Sequence, residues 1–292
     1  MDVFPAVGRA FENLIAPRPP LTAVTDIVYE KLSPAAVAES GKLILIAAAL
    51  FIVFYALEFG MAPTQLLRNG GYFVATYGVA LLFLYWVHKS DKYEREPFRF
   101  VLYVFFWGVF SGLLAAPLNE ALGPYFEAFF GNEVFVAPFV EEPIKVAGLY
   151  VLVEHEKYGK EFNTPLDGIV YGFAAGMGFF ATENFAYFLV YGPENLVIRS
   201  LLCWGHGVWT ATVGLWLAIG KVTQGRLQPA NLVPGLLVAM FLHLLWNGWN
   251  TNQLVILQSV FHLWYLRKII REALRDEVLW GYTRGRAPIE TY

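Results

Sequence analysis

Cysteine is nearly missing from this sequence. Cys203 stands alone in 292 residues, which excludes an internal disulfide framework and any metal knot built on cysteines. Charge is scarce as well: Asp, Glu, Lys and Arg make up 15% of the chain, against about 25% in soluble domains. That leaves too little polar surface to cover a body immersed in water. Positive charge is not in excess either. The formal net charge is −3 and the pI about 6.0, which speaks against a nucleic-acid partner. An early basic stretch leading into an apolar run is also lacking, because residues 1–41 carry Asp2, Glu12, Asp26 and Glu30 among scattered apolar positions. No secretory leader is expected from that pattern.

What the chain has in abundance is apolar surface, with 57% hydrophobic and 17% aromatic residues and a mean hydropathy of +0.48. A bilayer core about 30 Å thick takes about 20 mainly apolar residues per helix. Eight such segments can be placed, at 42–59, 71–88, 99–119, 134–154, 168–190, 197–219, 231–249 and 251–269. Gly123-Pro124 is expected to break the chain between the third and fourth. With the N-terminus inside, 18 of the 21 Lys and Arg residues fall in cytoplasmic segments. Only Arg68 and Arg199 lie outside, and Lys145 sits within a span. Such asymmetry follows the preference of basic residues for the cytoplasmic side. The expectation is an all-α polytopic membrane protein with both termini cytoplasmic, in a bacterial or archaeal plasma membrane. Residues 1–41 would be a cytoplasmic arm, 42–270 the eight-span domain, and 271–292 a basic tail.

Charged side chains at helix centres cost roughly 2.5–3.5 kcal/mol each on insertion scales, so they usually face the bundle interior and serve function. This chain places Glu141, Glu142 and Lys145 in the fourth span, Glu183 and Asn184 in the fifth, His206 in the sixth, and His243 and Asn247 in the seventh. At 1.5 Å per residue, Glu141, Glu183, His206 and His243 all fall about 10 Å below the outer surface. One shared, water-accessible cavity in the outer half of the bilayer follows. Glu141 and Glu142 stand four and three residues before Lys145, so one lysine can reach both from one helix face. Pro143 frees the carbonyl of Phe139, and Gly168, Gly172, Gly176 and Gly178 let neighbouring helices approach the fifth span.

The residue types suit hydrolysis. A carboxylate in a partly dry site can take a proton from water, while imidazole and amide donors can polarise a carbonyl. Cys203 precedes His206 by three residues, but little nearby would activate its thiol. Neither G-x-S-x-G nor G-x-G-D occurs, and His155-Glu156 lacks the second histidine of H-E-x-x-H. Asp167 reads as the cap of the fifth span. His262 reads as a helix contact.

Taken in order, Glu141-Glu142-Pro143-Ile144-Lys145, Asp167-Gly168, Gly176 to Asn184, His206 and His243-Leu244-Leu245-Trp246-Asn247 resemble the PrsW family of intramembrane proteases, within the wider superfamily of CAAX prenyl endopeptidases and Abi proteins. The resemblance covers about residues 70–270. It implies that Glu141 is the base that activates water, that Glu142 pairs with Lys145, that His243 and Asn247 polarise the scissile carbonyl, and that His206 orients water or substrate. Glu183 stands where the superfamily usually has a histidine. The implied substrate is a membrane-anchored protein, such as an anti-sigma factor, cut near the outer leaflet. No cofactor is required by that scheme. Three alternatives remain open: a divalent metal, zinc for example, held by Glu141, Glu183, His206 and His243; a proton-coupled transporter; and a non-catalytic scaffold.

Overall fold

The structure is a computed structural model. It describes residues 69–280 apart from 193, 195, 226, 228 and 249–251, together with scattered positions between 17 and 65. The arm 1–41 and the span 42–59 are therefore described only at isolated positions, and residues 281–292 lie outside the described residues. Among the described residues all regular structure is helical.

Helix α1 runs Gly70–Ser90, with a π-helical turn at Val74–Gly78. Within that turn Thr76 Oγ1 donates to the carbonyls of Tyr72 and Phe73 at 2.9 and 3.2 Å, the kind of back-bonding that perturbs a helical ladder. Helix α2 spans Phe98–Phe130 and passes through Pro117 and Pro124. The expected break at Gly123-Pro124 does not occur. A proline removes one ladder bond, but in an apolar medium leaving the helix would expose many more backbone groups. The helix stops instead at Gly131, whose φ of 74° supplies the left-handed turn that glycine adopts without strain.

Helix α3, Val136–Glu154, continues through Pro143. Helix α4, Pro165–Tyr191, opens on a reciprocal capping box between Thr164 and Asp167, the role expected of Asp167. The sixth expected span is two helices, α5 at Leu196–Leu202 and α6 at Gly205–Gln224. The second helix restarts at a closely packed point: a Cβ at Gly205 would lie 2.6 Å from the Trp209 ring, and one at Gly207 2.7 Å from Met177 Sδ. Helix α7 spans Pro229–Gly248. Helix α8, Asn252–Trp280, absorbs residues 271–280, the first part of the expected tail.

Among the described residues four segments are long and apolar enough to cross a membrane: Gly70–Ser90, Phe98–Phe130, Ile198–Gln224 and Pro229–Gly248. Large apolar side chains stay exposed on several helices, among them Leu82, Phe129, Val151, Leu237 and Leu257, as lipid rather than water allows. The protein is an all-α membrane protein.

Helix α4 is the central post, and small residues put it there. Cβ atoms at Gly168, Gly172 and Gly176 would fall 2.2, 2.4 and 2.2 Å from the carbonyl oxygens of Gly214, Thr210 and His206 on α6. This i, i+4 stripe brings the two backbones into contact. The α2 side is just as close, since a Cβ at Gly178 would lie 1.9 Å from Phe105 O. Helix α3 is keyed to α2 by Trp107, whose Nε1 donates to Lys145 O at 3.1 Å and whose ring fills the space beside Gly148.

Candidate active site

The buried ionic groups meet. Glu141, Glu142 and Lys145 come from α3, Glu183 from α4, His206 from the first turn of α6 and His243 from α7. Glu142 and Lys145 are fully buried at 0% exposure, whereas the Glu183 side chain is 42% exposed. The site thus runs from a dry floor to an open edge.

Lys145 Nζ donates to Glu142 Oε1 at 2.5 Å and lies 2.9 Å from His206 Nδ1. An ammonium has only donors, so His206 Nδ1 accepts. Its Nε2 therefore carries the proton, which it donates to Glu183 Oε2 at 2.9 Å. His243 takes the opposite tautomer. Its Nδ1 is 2.8 Å from Glu142 Oε1, and a carboxylate oxygen can only accept, so Nδ1 carries the proton. The His243 Nε2 lone pair is left free, 3.8 Å from Glu141 Oε2. Glu141 Oε1 is held by Asn119 Nδ2 at 2.8 Å, while Glu141 Oε2 is buried without a hydrogen-bond partner among the described residues. Two acceptor atoms therefore converge with no donor between them.

Four contributors are not among the residues expected from sequence. Asn119 on α2 steers Glu141. Arg199 on α5 stands 3.9 Å from Glu183 Oε1, donates from Nε to Asn184 Oδ1 at 2.9 Å, and lies over the Tyr187 ring. Trp209 stacks on the His243 imidazole at 4.4 Å between centroids. Its Nε1 donates to His262 Nε2 at 3.1 Å, so His262 is a helix contact that also fixes the ring behind His243. The i, i+3 spacing of His206 and Trp209 was the available signal for the tryptophan; a solitary Asn119 beside Glu120 gave little. Asn247 is not drawn into the cluster, and its Nδ2 donates to Val134 O at 3.3 Å.

Known proteins match this chain in sequence. Residues 96–269 match the family described as PrsW family intramembrane metalloprotease, a stretch that holds every member of the cluster. The chain belongs to the PrsW family. It is 32% identical over 175 residues to the protease PrsW of Geobacillus kaustophilus, covering 57% of this chain and 72% of that one. With the protease PrsW of Bacillus subtilis it shares 29% over 176 residues, 57% of this chain and 75% of the other. With that of Clostridioides difficile the figure is 26% over 203 residues, or 63% and 83%. No solved structure matches. The protein is a membrane-integral peptidase.

The family description implies a metal, and the donors present fit one. Glu141, His206 and His243 each offer a ligand atom within 4.8 Å of the others, and all three are buried. Two imidazoles and a carboxylate are a donor set that zinc accepts. Glu141 Oε2 and His243 Nε2 are open already, and the Glu142 carboxylate behind His243 Nδ1 is the outer-shell partner that orients a ligating imidazole. His206 would enter by releasing one of its two bonds. Glu183, expected as a fourth ligand, is not in this close set; its Oε2 accepts from His206 Nε2.

Proposed function

We propose that this PrsW-family peptidase hydrolyses a peptide bond of a membrane-anchored protein, such as an anti-sigma factor, near the outer leaflet of a plasma membrane. The supporting observation is the pair of open acceptors, Glu141 Oε2 and His243 Nε2, above a neutralised floor. A divalent metal held by Glu141, His206 and His243 would supply Lewis acidity to activate water and polarise the scissile carbonyl. The chain's own groups do the rest. Glu142 fixes the tautomer of His243, Lys145 offsets the charge of Glu142, and Asn119 aims the Glu141 carboxylate inwards. Glu183, half-exposed and outside the ligand set, is the carboxylate placed to take the proton of water and pass it to the edge.

One observation favours a second reading, with Glu141 itself as the base. Asn119 holds only Oε1, which leaves Oε2 free to receive a proton. In that case chelation spares activity. Either way Glu141 is required, as a ligand of the metal or as the general base, a role that contributes about 10²–10⁴-fold. Glu141→Gln is expected to lower cleavage of a co-expressed single-span substrate by at least about 10²-fold while the variant still folds. Full activity would remove Glu141 from the chemistry.

The proposed topology has eight spans with both termini cytoplasmic, supported by the skewed distribution of Lys and Arg. Reporter fusions after residues 68 and 199 should read as external, and a cytoplasmic reading at either would overturn it.

A further inference from the structure

At the far end of α4 from Glu183, about 24 Å along the helix at 1.5 Å per residue, lies a second group of buried acids. Asp91 and Glu96 belong to the turn joining α1 to α2, and Asp167 to the first turn of α4. They are 2%, 2% and 0% exposed. Each offers an oxygen within 4.8 Å of the others. Glu94, Glu161 and Glu277 are buried around them.

Their hydrogen bonds leave a gap. Asp167 serves the cap, taking Asn163 N and Thr164 N on Oδ2 and Thr164 Oγ1 on Oδ1, which leaves one lone pair on Oδ1. Asp91 Oδ1 accepts from the amides of Tyr93 and Glu94 at 3.1 Å each. Glu96 Oε2 accepts from the Tyr171 hydroxyl. Glu96 Oε1, however, is buried with no hydrogen-bond partner among the described residues, and its carboxyl faces that of Asp167. Among the described residues no Lys or Arg nitrogen pairs with the carboxylates of Asp91, Glu96 or Asp167. The nearby cations act on the cluster only from a distance and bond elsewhere: Arg95 Nε donates to Asp91 O, and Lys221 Nζ donates to Val153 O and Gly159 O. Burial pushes Asp91 up to about 6 and Glu96 well above the usual carboxylate range, a penalty that a nearby cation offsets.

We propose that Asp91, Glu96 and Asp167 form a second cation site, separate from the active site, that takes a hard divalent ion of the Mg2+, Ca2+ or Mn2+ class. Three carboxylates and no nitrogen or sulfur donor suit such ions rather than zinc or copper. The unpartnered Glu96 Oε1 is the atom that calls for the ion. Once bound, the ion staples the α1–α2 turn to the start of α4, the helix that carries Glu183.

The test uses full-length Glu141→Gln protein in detergent, in which the active-site set has lost its carboxylate. After metal stripping, Mn2+ binding is counted by electron paramagnetic resonance. One bound Mn2+ per chain, displaced by Mg2+ or Ca2+, is expected. Adding Glu96→Gln should weaken it by at least about tenfold, the loss that even an outer-shell partner causes. If that variant does not fold, Asp91→Asn serves, because its amide oxygen still accepts from Tyr93 and Glu94. No Mn2+ bound by the Glu141→Gln protein, or undiminished binding in the folded second variants, overturns the site and leaves a shared proton between Glu96 and Asp167 as the explanation.

Discussion

Removing the Lys145 ammonium should be among the most damaging single changes available to this protein. Lys145 and Glu142 are both 0% exposed and 2.5 Å apart. In Lys145→Met the helix keeps a side chain of similar length, but Glu142 keeps only the His243 bond, since its Oε2 already lacks a partner. His206 Nδ1 loses its donor at the same time. Breaking a buried ion pair from one side costs about 3–5 kcal/mol, or about two to three and a half powers of ten in the folded fraction. Chemical unfolding of the detergent-solubilised protein, followed by helical circular dichroism, reads this directly. The double variant Glu142→Gln/Lys145→Met removes the stranded charge while still accepting from His243, and it should regain much of the loss. Contacting residues couple by about 0.5–3 kcal/mol in such cycles. A Lys145→Met cost below about 1 kcal/mol, the worth of an exposed pair, would refute the reasoning. So would a second substitution that adds to the damage.

The other expectations concern position and metal. Gly176→Ala puts a Cβ 2.2 Å from His206 O, so it should cost about 1–3 kcal/mol as overpacking does and lower activity by shifting α6; wild-type stability and turnover together would contradict the tight α4–α6 contact. Asn119→Ala should reduce substrate cleavage by about 10–100-fold, as loss of an outer-shell partner does. Asn247→Ala should leave activity much closer to wild type, because its amide serves Val134 O; the reverse ranking in a cleavage assay would restore Asn247 to the site. Stripping with a zinc chelator should abolish cleavage and added zinc should restore it, whereas undiminished turnover of metal-free protein would favour Glu141 as the base.

The convergence of the site was legible because ionisable residues are so costly in an apolar helix that each one stood out. Glu141, Glu183, His206 and His243 come from four helices, and their depth could be counted along each. The capping by Asp167 was legible from its place just ahead of an apolar run. The continuity of α2 was not, because a Gly-Pro pair signals a break in water, whereas an apolar surrounding penalises the exposed backbone more than the lost bond. The interruption at Cys203-Trp204 was hidden because apolar residues run straight through it. The direction of Asn247 was not legible, because i, i+4 spacing places two residues on one side of a helix without fixing where the second side chain points, and its Nδ2 donates to Val134 O.

The three carboxylates, which outnumber the single intramembrane lysine, are resolved by giving each a different partner. Glu142 is neutralised by Lys145 and spends the same oxygen on fixing His243. Glu183 is shared between His206 and the Arg199 guanidinium at the edge. Glu141 alone has neither a cation in hydrogen-bond contact nor a donor on Oε2. The same lysine imposes opposite tautomers on the two histidines, acting directly on His206 and through Glu142 on His243. One ion pair on α3 therefore decides which nitrogen of each imidazole is open, and the open nitrogen of His243 faces the uncommitted Oε2 of Glu141. A set of acids that looked unbalanced as a sum is balanced pair by pair, and what remains is a site that accepts a cation or the protons of water.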